Sequence, residues 1–193
     1  MPYPEGHKLK VRGRIIESAA KAFRTNGIRE ISVPVIMKGA GLTHGGFYSH
    51  FDNKEQLVLE TCQYAISDTI ALLQKAADQA GEEAKIEAVI DFYLSPYHRD
   101  QKELGCILPA LSAEIPLSSE EVGQVFTQEL QRMIDFISDL AQIDPAAGSA
   151  VMSLMVGTIV LARSVSDSKL SDQLLTAGKQ NAKGLLGIAR ASN

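Results

Sequence analysis

The sequence predicts an all-α protein of nine or ten helices, and three observations carry that prediction. Apolar residues recur at three- and four-residue spacing along most of the chain. N-capping residues and glycines bracket those stretches, as helix starts and stops require. Strand-like alternation is scarce, and the single Asn-Gly dipeptide, Asn26-Gly27, follows a helical pattern instead of joining two alternating runs.

The elements follow in order. A first helix is expected from about Leu9 to Asn26, with Ile15, Ile16, Ala19, Ala20 and Phe23 on one face and Gly27 as a left-handed C-cap. Ser32 caps a short helix, Val33 to about Ala40, with Pro34 in its first turn and Gly41 ending it. Thr43 caps a third, His44 to His50. Asp52-Asn53-Lys54-Glu55 has the form of a capping box opening a long helix to about Gln79. Gly81 precedes a helix from about Glu82 to Leu94, stopped at Ser95-Pro96. Tyr97 to Leu104 reads as irregular or weakly helical, and Gly105 to Glu114 as a short helix halted before Pro116. Ser118-Ser119-Glu120-Glu121 opens a helix to about Ile143, and Asp144-Pro145 opens one to about Ser164. Ser168 or Ser171 begins the last, which ends near Arg190.

With 193 residues and 45% hydrophobic content, the chain suffices for one domain or two small ones with a real core. No window approaches 18 uninterrupted apolar residues, so no membrane span is expected. The stretch Met1-Pro2-Tyr3-Pro4-Glu5 has no apolar signal-peptide core. Two cysteines, Cys62 and Cys106, make no disulfide framework, and a cytoplasmic location is expected.

The net charge of −4 hides an asymmetry. Residues 1–54 hold nine Lys/Arg against four Asp/Glu, a balance of +5; the rest holds ten against nineteen, a balance of −9. A basic unit on an acidic body points to a local anion partner. Within that unit, Ser32 to Phe51 places two short helices around the turn Gly41-Leu42-Thr43, the helix-turn-helix pattern. The second helix of such a unit enters the major groove of DNA. Its polar face would be Thr43, His44, Gly45, Gly46, Tyr48, Ser49 and His50, with Leu42, Phe47 and Phe51 turned to the core. Gly45-Gly46 is costly in a helix and suits close approach of another backbone. Tyr48 and Lys54 are candidates for phosphate contact. The same spacing also fits an ordinary solvated junction between loop and helix.

Arg14-Ile15-Ile16-Glu17-Ser18-Ala19-Ala20-Lys21-Ala22-Phe23, followed by Gly27 and Ser32, resembles the first helix and onward turn of TetR/AcrR-family regulators. Gly41 to Glu55 resembles that family's recognition helix and the start of its fourth helix, and the likeness spans about residues 10–60. A weaker likeness to one subgroup covers Leu94 to Glu114. The resemblance implies a helix-turn-helix head, residues 1–54, on a ligand-binding and dimerising body, residues 55–193. It implies a homodimeric regulator, a repressor released by an unidentified small-molecule effector, on a palindromic double-stranded operator. Ser32, Thr43, His44, Gly45, Gly46, Tyr48, His50 and Lys54 are then the DNA-facing set. His44 stands where Lys is frequent, Gly46 where Thr or Asn is common, and Pro34 where an acidic or polar residue is usual. Those departures keep a second reading open, a small-molecule sensor on this scaffold without specific DNA binding. Lys8, Lys10, Arg12 and Arg14 suit an arm onto the DNA backbone or minor groove, or a solvated helix start.

In the family, the helices matching those from Glu120 and Pro145 pair across a dimer, although both apolar faces also suit an internal core. Effector-pocket candidates are Tyr64, Phe92, Tyr93, Tyr97, His98, Cys106, Leu111, Met133 and Phe136. Cys106 suits a redox-sensing thiol or, more simply, a small buried hydrophobe. His98 and Cys106 lack a third orienting group, so catalysis is not expected. Four scattered histidines give no metal-ligand spacing, and no metal or cofactor is expected.

Overall fold

The computed structural model describes residues 5–187, and all regular structure there is helical. Helix α1 spans Glu5–Asn26 and α2 spans Val33–Gly39; a 3₁₀ helix, His44–Ser49, follows. Then come α3 (Lys54–Asp78), α4 (Lys85–Tyr93), α5 (Pro96–Asp100), α6 (Leu108–Leu111), α7 (Glu120–Ala141), α8 (Pro145–Ser164) and α9 (Ser168–Leu185). The expected end near Arg190 lies outside the described residues.

Most starts and stops obey local chemistry. Gly27 and Gly41 both sit at positive φ, 75° and 68°, where a side chain would be strained. Asp144 accepts the amides of Ala146 and Ala147, and Ser119 accepts that of Val122. Four expectations need correction. α1 begins four residues earlier than Leu9, because Glu5 to Lys8 carry no apolar residue to mark a face. The cap of α3 is Asn53, not Asp52: Asn53 Oδ1 accepts Gln56 N–H, and Gln56 Oε1 accepts Asp52 N–H. The segment after Thr43 winds as 3₁₀, since two adjacent glycines give an α-turn little support. The expected helix over Gly105 to Glu114 shrinks to four residues, Leu108–Leu111, because Pro109 is tolerated only in a first turn and so moves the start forward.

α3 is the central element and packs against α1, α4 and α7, while α8 packs between α7 and α9. One apolar core runs from Ile15 and Phe23 of α1 through Leu57 and Ile66 of α3 to Ile159 of α8 and Ala182 of α9. Much of the apolar face of α7 is internal: Val122, Phe126, Met133 and Ile137 are buried, while Val125, Leu130, Ile134, Phe136 and Leu140 are half-buried. The exposed apolar residues of this end are Val160 and Leu161 on α8 and Leu170 and Leu185 on α9. Among the described residues α8 is the one helix long and apolar enough to cross a membrane. Its Val151, Met155 and Ile159 are spent in the core.

His98 ties the middle of the chain together. Its Nδ1 lies 2.5 Å from the Tyr93 carbonyl, and its Nε2 accepts the Cys106 amide at 2.9 Å. That second bond requires an unprotonated Nε2, and burial lowers the imidazole pKa from 6.5 to about 4. A Cβ on Gly105 would lie 2.6 Å from the His98 ring, so this turn closes only over glycine. Because the folded state resists protonation, this contribution is complete above pH 6.5 and fades as pH falls toward 4. Urea unfolding at pH 7 and pH 4.5 should show a loss of about 2–3 kcal/mol that is absent in His98→Gln.

Candidate nucleic-acid interface

The 3₁₀ helix is held from below by aromatic packing. Phe47 and Phe51 are buried and stacked, with ring centroids 5.5 Å apart. The Arg12 guanidinium lies 4.2 Å from the centre of the Phe51 ring and pairs with Glu60 and with the His50 carbonyl. With Phe47 fixed inward, the opposite side faces solvent. Ser32, Thr43, His44, Gly45, Tyr48 and Ser49 are exposed, Tyr48 by 66%. Gly46 and His50 are half-buried. Among the described residues nothing lies within 4 Å of a Cβ built on Gly45, so none of their contacts demands a glycine there. His50 has a buried Nδ1 with no hydrogen-bond partner, and burial followed by the nearby Lys8, Arg12 and His7 lowers its pKa.

Two sequence expectations change here. Lys54 Nζ donates to the Ile28 carbonyl at 2.6 Å and is half-buried, its pKa lowered by that burial; it is not an outward ammonium. Of the basic run, Arg12 is tied inward, and Arg14 donates to the Ala40 carbonyl at 2.5 Å. Lys8 and Lys10 are exposed.

Two residues that sequence reasoning missed join these N-terminal helices to the rest. Arg24 is 5% exposed; it pairs with Asp68 at 3.0 Å and donates to the carbonyls of Ala65 and Glu103. Glu114 accepts the amides of Ile28 and Arg29, both at 3.0 Å. A Cβ on Gly27 would collide with this carboxylate. No local signal marks either residue: Arg24 reads as a cation at a helix C-terminus, and Glu114 lies 86 residues beyond Ile28.

A cleft of about 500 Å³ opens between the C-terminal half of α3 and the α4–α5 region. It gathers five of the nine pocket candidates, Phe92, Tyr93, Tyr97, His98 and Cys106, and adds Leu72, Leu73 and Leu104. Tyr64 is exposed elsewhere on α3; Leu111 and Met133 are core, and Phe136 is half-buried on α7, so these four do not line it. The floor carries little charge. His98 is neutral, and burial raises the Tyr93 hydroxyl and the Cys106 thiol. The Cys106 thiol sits beside Tyr93 and Thr69, while His98 Nε2 is occupied by the backbone, so the two make no nucleophile–base pair. Among the described residues no three His, Cys, Asp or Glu side chains are grouped to hold a metal.

A glycine-turned pair of short helices, aromatic-anchored and polar outward, on an all-helical body defines a helix-turn-helix protein. Residues 15–61 match the family described as bacterial regulatory proteins, tetR family. The chain is 27% identical over 170 residues to the HTH-type transcriptional regulator TtgR of Pseudomonas putida, covering 86% of this chain and 70% of that protein. It is 43% identical over 49 residues to the HTH-type transcriptional repressor KstR2 of Mycobacterium tuberculosis, covering 25% and 24%. The fold is shared with reduced NemR of E. coli, at a TM-score of 0.77 and 16% identity, covering 91% of this chain and 97% of that one. SCO4454 of Streptomyces coelicolor gives 0.72 and 21%, covering 92% and 88%. These likenesses make the chain a TetR-like DNA-binding transcriptional regulator, with the family match itself confined to residues 15–61.

Burial pushes the Cys62 thiol up to about 12, with Glu129 adding to the effect, and raises that of Cys106. Both thiols are therefore un-ionised at neutral pH, and N-ethylmaleimide should label neither in the native protein within minutes at pH 7. Mass spectrometry should show both labelled in urea.

Proposed function

We propose that the protein is a homodimeric repressor whose residues 1–54 hold a palindromic operator and whose residues 55–193 dimerise and bind an effector in the cleft. The single observation that carries this reading is the solvent-facing Thr43–Ser49 surface, fixed by the buried Phe47 and Phe51 beneath it. Open space at Gly45 fits a DNA backbone approaching from outside. Tyr48 offers a phenolic donor to a phosphate, His44 a ring to base edges, and Thr43 and Ser49 hydroxyls. Exposed Ser32, at the start of α2, and His50 flank them. Lys54, already donating to the Ile28 carbonyl, keeps two further N–H donors with which to meet a phosphate.

The exposed apolar residues of α8 and α9 support self-association there, because a second copy is the simplest cover for Val160, Leu161 and Leu185. Two recognition segments about a two-fold axis would meet half-sites about 34–36 Å apart. The cleft, with mostly apolar walls, a neutral floor at His98 and Cys106, and Asp68 and Lys75 in its lining, suits a mostly apolar effector with a few polar groups. Arg24 ties α1 to that cleft: its partner Asp68 is a lining residue, and Glu103 belongs to the short 3₁₀ turn whose next residue, Leu104, lines it. An effector that binds better when this turn has moved would shift the population away from the DNA-competent arrangement. A cytoplasmic location fits such a role.

Selection from a random duplex library with the ligand-free protein tests the reading. A palindromic consensus with steeply salt-dependent affinity is the expected outcome. Absence of any consensus would overturn it and favour a sensor without specific DNA binding. On the selected operator, Tyr48→Phe should weaken binding roughly three- to tenfold whatever the sequence. His44→Ala should instead broaden preference at one position of each half-site, read by repeating the selection.

A further inference from the structure

The turn Gly27-Ile28-Arg29 is gripped from two sides by charges of opposite sign. Glu114 accepts its amides, and Lys54 donates to its Ile28 carbonyl. The turn connects α1 to α2. Lys54 is the first residue of α3, and Glu114 follows α6. The carboxylate occupies the space that a Cβ on Gly27 would need, so glycine at this point gives Glu114 its seat as well as its φ. Only eight residues separate Glu114 from Cys106 on the cleft floor, and α6, which lies between them, packs on both α1 and α8.

We propose that Glu114 is the positioning residue through which the body sets the α1–α2 turn, and with it the DNA-facing surface. This rests on the regulator reading. Displacement of the Cys106 floor by an occupant of the cleft moves α6, and α6 carries Glu114 away from the turn. Ile28 and Arg29 then lose their shared acceptor. Among the described residues Lys54 is then the one side chain left on the turn, and a phosphate that competes for its ammonium weakens that hold. With Glu114 seated, Lys54 can leave for a phosphate while the turn stays closed. With Glu114 withdrawn, the turn opens when DNA takes the lysine.

The sign of the mutational effect separates positioning from plain electrostatics. Removing a negative charge near DNA by itself strengthens binding. In the full-length protein, Glu114→Gln is expected to weaken affinity for the selected operator about tenfold. Amide hydrogen exchange at Ile28, Arg29 and α2 is expected to rise about tenfold, with α8 unchanged. Glu114→Asp keeps the charge but shortens the reach, and is expected to fall between the two. Tighter operator binding by Glu114→Gln, or unchanged exchange in α2, overturns the proposal. Should the native protein select no operator, the regulator reading fails, and the exchange measurement still decides whether Glu114 positions the turn.

Discussion

The unbroken run of α3 is the constraint on which the rest of the structure depends. Its 25 residues extend about 37 Å, with one end beside the recognition segment and the other in the wall of the cleft. α1 packs along one side of it and α7 along another. No hinge interrupts it, so the two ends cannot rearrange independently. Movement must be carried at its flanks, where polar ties substitute for apolar packing. Arg24 is such a tie. Its guanidinium is taken out of water and held by a carboxylate and two carbonyls, while its Nε is left without a partner. An incompletely satisfied buried cation contributes little net stability but makes any shift of its partners costly.

The same accounting changes the meaning of the basic N-terminal segment. Of its nine cations, Arg12, Arg14, Arg24 and Lys54 are engaged by partners within the fold, and Lys21 pairs with Glu17 on the surface of α1. Lys8, Lys10, Arg29 and Lys38 remain exposed. The field that a duplex meets is therefore weaker than the sequence count suggests, and four of the nine cations assemble the surface instead of advertising it.

What was legible in the sequence was local. Gly27, Ser119, Asp144-Pro145 and the apolar stripe of α1 each act through neighbours within a turn or two, and each does in the structure what its chemistry implies. The division of this segment into an inward and an outward face was legible for the same reason, since Phe47 and Phe51 declare the inward one. Errors arose where two local choices were close in energy: Asp52 or Asn53 as cap, and α or 3₁₀ winding over Gly45-Gly46. Long-range partners were illegible. Nothing near Glu114 points to Ile28, and nothing near Arg24 points to Glu103. The pocket candidates divided likewise: the consecutive stretch Phe92 to His98 converges on the cleft, while Met133 and Phe136, placed by residue type alone, do not.

The 3₁₀ winding of the recognition segment has a thermodynamic consequence. Residues three apart eclipse one another, so the segment presents columns, not a spiral. With Phe47 turned inward, the two outer columns pair Gly45 with Tyr48 and Gly46 with Ser49. Each is bare main chain at one end and a hydroxyl at the other. Neither holds a long, rotamer-rich side chain that contact would freeze. The ordering entropy lost on docking is correspondingly small. Those two columns have a low cost of immobilisation and follow the contour of what they meet, leaving discrimination to the neighbouring His44 ring.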